Sequence, residues 1–366
     1  MDEKIDLKLY SPNSFSELEH IWKRLEKGND MTPFQSYDWY KGLNDLYKKE
    51  RVKRIFRKWE YIVAFRFNEP VLIAPIQIVN IGMQIKGIGL RRGFYLIGRS
   101  GYTDYANFIY KSFDKNAFEE VLEYLIQRYG CNYFCFEKII ANTELSMYIN
   151  SHYEVSKKEC YCADLLLPES FEDYNSLLSK SSRQNIRTAI NRQKRNEINL
   201  THQLVYSIND NLVEELMRIR AIRLREKKKK SRSEASIFGK AYAICHEWLS
   251  SIFDAKHDVM RTDTDSWAFL VKDGERIVSF FWGIFDKEKR FYYVSLAGMD
   301  PEYGWYSPGI SHFYLLIKEQ YGKDEMVFKM VDFTRGGEHY KAALGCQKKE
   351  SLIMAFEYNK NKSCGL

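Results

Sequence analysis

Apolar residues near the start of the chain recur three and four positions apart, which is the spacing of an amphipathic helix. Ser14 and Ser16 offer caps for this helix, and Gly28 ends it. Its predicted apolar face consists of Phe15, Leu18, Ile21, Trp22 and Leu25. Further along, the pattern predicts a helix over 37–47, strands over 61–67 and 71–79, a helix over 117–129 closed by Gly130, and a strand over 133–136.

The second half of the chain repeats this order. Asp273-Gly274 is a strong hairpin signal, and it separates two of the predicted strands. The predicted elements are helices over 171–195 and 212–226, strands over 267–271, 276–285 and 291–296, a helix over 310–321 and a strand over 327–333. A helix between two strands of one sheet gives a parallel crossover, so each half is predicted to be α/β with a mixed sheet. We expect two related halves, 1–165 and 166–366, although a coincidental likeness stays open.

Composition narrows the class of protein. The chain has 366 residues, of which 45% are hydrophobic and 29% are charged, which is a globular composition. No apolar run reaches the roughly 18 residues that a membrane span requires, and residues 1–4 do not resemble the start of a signal peptide. The seven cysteines are an odd number and are spread along the chain, so we expect reduced thiols and a cytoplasmic protein without a metal site.

The net charge of +7 is unevenly distributed. Residues 180–232 contain 15 Lys and Arg against 5 Asp and Glu, a local charge of +10. The positive charge of this region is therefore larger than the net charge of the whole chain. Such a region favours an anionic partner such as a phosphate, a nucleic acid or an acidic surface.

A dense group of chemically active side chains lies at the end of the last predicted strand. It comprises Asp332, Arg335, Glu338, His339 and Lys341. Arg335 and Lys341 are suited to clamping an anion, and Asp332 or Glu338 to orienting or deprotonating a nucleophile. Alternatively, Glu338 and Lys341 form a structural i,i+3 pair at the surface.

Two other segments are candidates for anion binding. Ser307-Pro308 is typical of a helix N-cap and first turn, and Gly309 would let a ligand approach the backbone. Arg183 and Arg187 lie near one face of a predicted helix. The alternatives are an ordinary capped helix and a solvated amphipathic helix. We expect the four lysines at 227–230 to form an exposed loop.

Several short motifs occur together in an order that resembles a known family. In sequence order they are Pro33-Phe34-Gln35-Ser36-Tyr37-Asp38-Trp39, Asp104-Tyr105-Ala106-Asn107-Phe108, Ser182-Arg183-Gln184-Asn185-Ile186-Arg187, Leu296-Ala297-Gly298, Tyr306-Ser307-Pro308-Gly309 and Asp332-Phe333-Thr334-Arg335-Gly336-x-Glu338-x-Tyr340-Lys341. The chain resembles the cellulose-biosynthesis (CelD-like) branch of the GNAT acyltransferases, which is related to the Fem-type peptidyltransferases.

The resemblance implies two tandem GNAT-like halves, with the active site in the second. It implies transfer of an acyl group from acetyl-CoA or another acyl-CoA to an amine, on a sugar or envelope precursor. The donor site would include Tyr306, Ser307, Gly309, Arg335 and Lys341. Glu338 is the first candidate for the base, followed by Asp332 and then by His312 or His339; the acceptor contacts would be Arg183, Arg187, Asp104 and Tyr105.

The donor stays open at this stage. GNAT enzymes usually carry Arg/Gln-x-x-Gly-x-Gly/Ala before the crossover helix, and residues 303–309 do not match that pattern. Acyl carrier protein or aminoacyl-tRNA could therefore replace acyl-CoA. The basic region fits an RNA acceptor stem. A non-catalytic accessory protein of polysaccharide biosynthesis is the third alternative.

Overall fold

The computed structural model describes residues 4–49, 57–80, 83–85, 88–98, 103–206, 208–233 and 265–359. The chain divides into two units, which we treat separately. Unit 1 comprises residues 1–161 together with 350–366, and unit 2 comprises residues 162–349. The sequence predicts a boundary at 165/166 with the chain's end in the second half. In the structure, the described residues 350–359 lie with unit 1, because a late strand pairs there.

Among the described residues, unit 1 contains four helices, seven complete strands and the later part of an eighth. The helices are α1 (Glu19–Leu25), α2 (Tyr37–Lys49), α3 (Lys115–Tyr129) and α4 (Glu144–His152), with 3-10 helices at Pro12–Leu18 and Pro33–Gln35. The strands are β1 (Ile5–Tyr10), β2 (Arg57–Arg66), β3 (Glu69–Val79), β4 (Met83–Ile85), β5 (Ile88–Leu90), β6 (Gly93–Leu96), β7 (Tyr133–Ile140) and the later part of β14 (Gln347–Glu357).

Unit 2 contains five described helices and six strands or parts of strands. The helices are α5 (Phe171–Leu177), α6 (Lys180–Arg195), α7 (Asp210–Ser233), α8 (Pro308–Gln320) and α9 (His339–Ala343), with a 3-10 helix at Pro301–Tyr306. The strands are the second half of β8 (Ser156–Leu166), β9 (Leu200–Tyr206), β10 (Ser266–Asp273), β11 (Arg276–Asp286), β12 (Phe291–Met299) and β13 (Met330–Arg335).

Both units have the same arrangement of strands. The order in unit 1 is β1-β2-β3-β6-β7-β14, and the order in unit 2 is β9-β10-β11-β12-β13-β8. Neighbours in each unit are antiparallel except for one parallel pair, β6 with β7 and β12 with β13. Helices α3 and α8 supply the two parallel crossovers. The prediction of α/β halves with mixed sheets is therefore confirmed.

The matching strands β7 and β13 share a local irregularity. Lys138 and Thr334 both have positive φ angles, 68° and 49°, which are unusual for residues other than glycine. Each lies where the register with the next strand shifts. The repeat therefore extends from strand order to the backbone conformation of single residues.

Unit 2 has helices on both faces of its sheet. On one face, α5, α6, α8 and α9 pack over a core that includes Phe281, Tyr292 and Phe333. On the other face, α7 contacts β11 and β12. Because side chains alternate along a strand, Trp282 and Tyr293 point towards the α7 face.

Three expectations about helices were wrong. The predicted helix over 171–195 is two helices, because Leu178 is extended with ψ 135° and Ser179 caps α6. The first helical segment is capped by Ser11 rather than by Ser14 or Ser16, and it begins as a 3-10 helix. Residues 227–230 belong to α7 rather than to a loop, which agrees with the helix propensity of lysine.

Candidate active site

The parallel strands β12 and β13 separate inside unit 2. Their pairing joins Phe291–Tyr293 to Met330–Asp332. Beyond this point β12 continues along β11 as far as Met299. The Thr334 hydroxyl of β13 donates to the carbonyl oxygen of Val294 at 2.9 Å, so a side chain replaces the backbone ladder there. Separated parallel strands leave backbone groups available to a ligand.

A β-bulge lies beside this separation. The register of β11 with β12 passes from Trp282–Leu296 to Gly283–Val294, which leaves Ser295 as the extra residue of β12. The Ser295 hydroxyl and the Trp282 indole N–H are buried, and neither has a hydrogen-bond partner within the described part of the chain. A buried polar group without a partner costs about 1–3 kcal/mol, so both groups are candidates for contacting a substrate.

Asp332 stabilises the end of β13 through hydrogen bonds of its carboxylate. It is completely buried, and its two oxygens accept from the Thr334 backbone N–H at 2.7 Å and from Lys349 Nζ at 2.9 Å. Lys349 also lies 3.8 Å from Asp164 on β8. Burial raises the pKa of the Asp164 carboxyl, and the Lys349 ammonium opposes this. The arrangement holds the strand end in place through a buried ion pair.

Lys341 fastens the turn that follows β13. Its side chain is buried, and Nζ donates to the carbonyl oxygens of Thr334, Arg335 and Gly336 at 3.3, 2.9 and 2.9 Å. The same nitrogen lies 3.0 Å from Glu338 Oε2. The i,i+3 pair considered in the sequence is thus present, with its lysine buried and 43% of the glutamate side chain exposed.

The remaining members of this group lie around the same turn. Arg335 is half-buried and pairs in register with Cys162 of β8. His339 is exposed at the first position of α9. Gly336 has φ 115°, and a Cβ there would lie 2.3 Å from Glu338 Oε2, so glycine is required for the glutamate to occupy its position.

Helix α8 begins at the predicted residues, but the residue at its N-cap position does not cap it as expected. Ser307 precedes Pro308 at the N-terminus, but its backbone is left-handed (φ 44°, ψ 52°) and its side chain does not cap the helix. A Cβ on Gly309 would lie 2.9 Å from Ser279 Oγ. Glycine at 309 thus serves close packing of the helix on β11.

Helix α6 holds the segment before α8 through three side chains. Gln193 Nε2 donates to the Tyr306 carbonyl oxygen at 3.1 Å, and Asn196 Nδ2 donates to the Tyr306 hydroxyl at 3.0 Å. Arg192 Nη1 donates to the Trp305 carbonyl oxygen at 3.1 Å. These contacts fix the backbone that leads into the helix N-terminus.

His312 belongs to a buried hydrogen-bond chain on α8. Its Nε2 lies 3.1 Å from Gln193 Oε1, and its Nδ1 lies 3.1 Å from Nδ1 of His202. Because the amide nitrogen of Gln193 donates elsewhere, His312 Nε2 must carry the proton. Burial, with a smaller effect of His202, lowers the pKa of His312 to about 4. The imidazole is neutral near pH 7, with both nitrogens engaged.

The four proposed acceptor contacts are divided between the units. In unit 2, Arg183 Nη1 donates to the carbonyl oxygens of Asn175 and Leu178 at 3.0 and 2.8 Å, which satisfies the end of α5. Arg187 is exposed on α6. Asp104 and Tyr105 are buried in unit 1. The candidate residues from Tyr306 to Lys341 therefore lie in unit 2 together with Arg183 and Arg187, whereas Asp104 and Tyr105 lie in unit 1.

The sequence patterns did not indicate three groups at this site, namely Trp282, Ser295 and Lys349. One signal was present, because an isolated glycine in a strand pattern, here Gly283, indicates a bulge or close backbone approach. A Cβ on Gly283 would lie 1.8 Å from the Tyr293 carbonyl oxygen. Nothing local singles out Lys349, since its partner Asp332 is distant in sequence.

Unit 1 has an open cleft of about 710 Å³, lined by residues that include Arg91, Tyr133, His152 and Glu357. None of the sequence-predicted site residues lines it. Among the described residues there is no cluster of three or more potential metal ligands. No described helix combines the length and apolar character that crossing a bilayer requires.

Comparison with known proteins identifies the class of domain in the second half. Residues 180–342 match the family model described as an acetyltransferase (GNAT) domain. The recognition of a GNAT-type domain from sequence motifs is therefore confirmed at that level. No curated protein matches the chain.

Solved structures resemble nearly the whole chain. A conserved protein of unknown function from Bacteroides thetaiotaomicron is 13% identical, with 97% of this chain and 100% of that chain covered and a TM-score of 0.55. L-PGS from Bacillus licheniformis is 12% identical, with coverages of 96% and 93% and a TM-score of 0.51. A tandem GNAT protein from the clavulanic acid biosynthesis pathway is 7% identical, with coverages of 97% and 98% and a TM-score of 0.45. At these identities the first two likenesses establish the fold alone.

Proposed function

We propose that this protein is a GNAT-type N-acyltransferase that moves an acyl group from coenzyme A, or a related thioester, to an amine. We assign it to the CelD-like branch, with a sugar or envelope precursor as the acceptor. The observation that carries the proposal is the separation of β12 from β13 within the segment that matches a GNAT domain. The gap would leave backbone groups of β12 and β13 available to a bound thioester.

The proposed reaction needs no covalent enzyme intermediate. A neutral amine attacks the thioester carbonyl carbon, the C–S bond breaks, and the thiolate leaves and takes up a proton. Glu338 is the proposed base that removes the proton from the amine. Backbone N–H groups near the Ser295 bulge would stabilise the developing negative charge on the carbonyl oxygen.

The donor is proposed to lie beside α8 and the turn after β13. The first turn of α8 offers unpaired N–H groups and the positive end of its dipole near Ser307 and Gly309. Arg335 would add positive charge beside the donor. Lys341 fixes the backbone of the turn, and Tyr306 is held in place by α6. Of the proposed acceptor contacts, Arg187 is exposed and suited to an anionic group on the acceptor.

Glu338 can be tested directly. Replacing Glu338 with Gln keeps the size of the side chain but removes its basicity, so we expect turnover to fall by about 10²–10⁴-fold with acetyl-CoA affinity nearly unchanged. Thiol release measures turnover on a panel of amino sugars, and calorimetry measures donor binding. Glu169→Gln, at another exposed carboxylate of unit 2, is the matched control. Near-normal turnover of E338Q would reject the assignment.

An aminoacyl-tRNA donor is the alternative that a specific observation favours. The exposed cations Arg187, Lys194 and Arg195 have no carboxylate partner among the described residues, and they lie in the basic region of the sequence. Phosphate contacts would make RNA binding fall steeply with salt. Thermal shifts separate the possibilities, because stabilisation by coenzyme A favours the first proposal, stabilisation by charged tRNA the second, and stabilisation by neither a non-catalytic accessory.

A further inference from the structure

Trp305 presents an exposed aromatic ring in the segment that leads into α8. Its residue surface is 62% exposed, which is unusual for a tryptophan. The Arg192 guanidinium carbon lies 3.6 Å from the ring centroid, so the guanidinium covers one face of the indole. An exposed hydrophobic residue alone needs no explanation, but this one is held in a defined orientation.

The orientation is fixed by α6. The same Arg192 that covers the ring also donates to the Trp305 carbonyl oxygen at 3.1 Å. Gln193 and Asn196 hold the next residue, Tyr306, by its carbonyl oxygen and its hydroxyl. The indole is therefore preorganised, and stacking on its open face would cost little conformational entropy.

Helix α6 places positive charge against the ring. Arg195 is exposed three positions after Arg192 on α6, and side chains at this spacing are neighbours on a helix. Within the described residues no carboxylate lies within ion-pair distance of Arg192 or Arg195. An aromatic face flanked by uncompensated arginines fits a ligand that carries both a flat ring and phosphate groups.

We infer that Trp305, Arg192 and Arg195 form the binding site for a phosphorylated adenosine at the end of the acyl donor, with the adenine on the open indole face and phosphate on the arginines. This inference rests on the proposed acyl transfer. Coenzyme A and the 3′ end of a tRNA both carry a phosphorylated adenosine. The site lies directly before α8, where the proposed donor binds.

Calorimetry with adenosine 3′,5′-bisphosphate on the full chain tests the site. We expect binding to the native protein and a loss of about tenfold or more in Trp305→Ala, as is usual when a stacking partner is removed. Arg192→Lys keeps the charge but loses the planar group, and it should weaken binding severalfold. Phe67→Ala and Lys323→Gln, at an exposed ring and an exposed cation outside α6 and the basic region, should bind as the unmodified protein does.

Two further probes distinguish the sources of the adenosine. If the donor is coenzyme A, it should bind more tightly than the bisphosphate and show the same loss in W305A. If the donor is a tRNA, an acceptor-stem RNA ending in CCA should bind W305A more weakly than the unsubstituted protein. Without its terminal adenosine, the same RNA should bind both proteins equally. Either result supports the site.

The inference and the proposed function can fail separately. Absence of adenosine bisphosphate binding, or equal binding by W305A and the native protein, would overturn the inference even if acetyl transfer is observed. The opposite result is also informative. If adenosine bisphosphate binding depends on Trp305 but no acyl group is transferred from any thioester or charged tRNA, the proposed function is rejected and the binding site is supported.

Discussion

His312 is a buried histidine that the fold keeps neutral. Burial, with a smaller effect of His202, lowers its pKa from the usual 6.5 to about 4. Between these values the unfolded chain binds a proton at this residue that the native state does not bind. The stabilisation is therefore fully present above pH 6.5, and it is lost as the pH falls from 6.5 towards 4.

Replacing His312 with Gln tests this sign. The variant lacks the titrating group, so its stability does not change with the protonation of residue 312. The stability advantage of the unsubstituted protein over H312Q should therefore shrink by about 2–3 kcal/mol from pH 7 to pH 4.5. Urea denaturation at the two pH values measures it. An equal difference for H312Q at both pH values would contradict the prediction.

Lys349 supports the buried carboxylate of Asp332. Replacing Lys349 with Met would leave a completely buried carboxylate without its ion-pair partner, and we expect a loss of about 3–5 kcal/mol in the free energy of unfolding. Lys349→Arg keeps the charge and should retain most of the stability. The double variant Lys349→Met with Asp332→Asn should lose less than the sum of the single losses, because it removes both charges. Additive losses in urea denaturation would count against the pair.

At the scale of elements, the features that sequence predicted well are those set by neighbouring residues. Gly130 ends α3 in the left-handed conformation with φ 60°, and Gly274 turns the β10–β11 hairpin with φ 57°. Ser307-Pro308 marks the start of α8. Glycine tolerates the positive φ that the first two positions require, and proline fixes φ near the helical value at the third, so a few residues suffice to predict each boundary.

Elements that depend on distant partners were missed. Strands β8 and β14 begin with exposed, charged residues, and their pairing partners β13 and β7 are far away in sequence. The candidate site likewise contains residues that the sequence indicates and residues that only the assembled sheet brings into position. The cluster from Asp332 to Lys341 is visible because its members are adjacent, whereas Trp282 and Ser295 acquire their position only when β11, β12 and β13 are assembled.

Thr334 maintains the separation of β12 from β13. Its hydroxyl bonds to Val294 and its backbone N–H bonds to Asp332, while its φ of 49° is unfavourable for a β-branched residue. Thr334→Val keeps the shape but removes the hydroxyl, and we expect a loss of about 1–3 kcal/mol because the Val294 oxygen loses its partner. Thr334→Ser should retain the bond. Amide hydrogen exchange should increase along β12 and β13 in T334V but not in T334S; equal protection would refute this role.

At the scale of the whole molecule, the two units repeat one topology, but the strands that complete them do not follow chain order. Strand β14 follows β13 in sequence and pairs with β7 in unit 1. Its residues Leu352, Met354 and Phe356 are buried. The stability of unit 1 therefore depends on residues that are translated after all of unit 2.

A chain that ends at Lys349 tests this dependence. It keeps residues 4–161 of unit 1 but lacks the part of β14 that pairs with β7, so β7 becomes an unprotected edge and Phe134 and Phe136 lose apolar neighbours. We expect limited proteolysis to cut within residues 4–161 much faster than in the full chain. A chain that ends at Asn359 keeps β14 and should resist as the full chain does. Unchanged protection in the shorter chain would mean that unit 1 folds without its sixth strand.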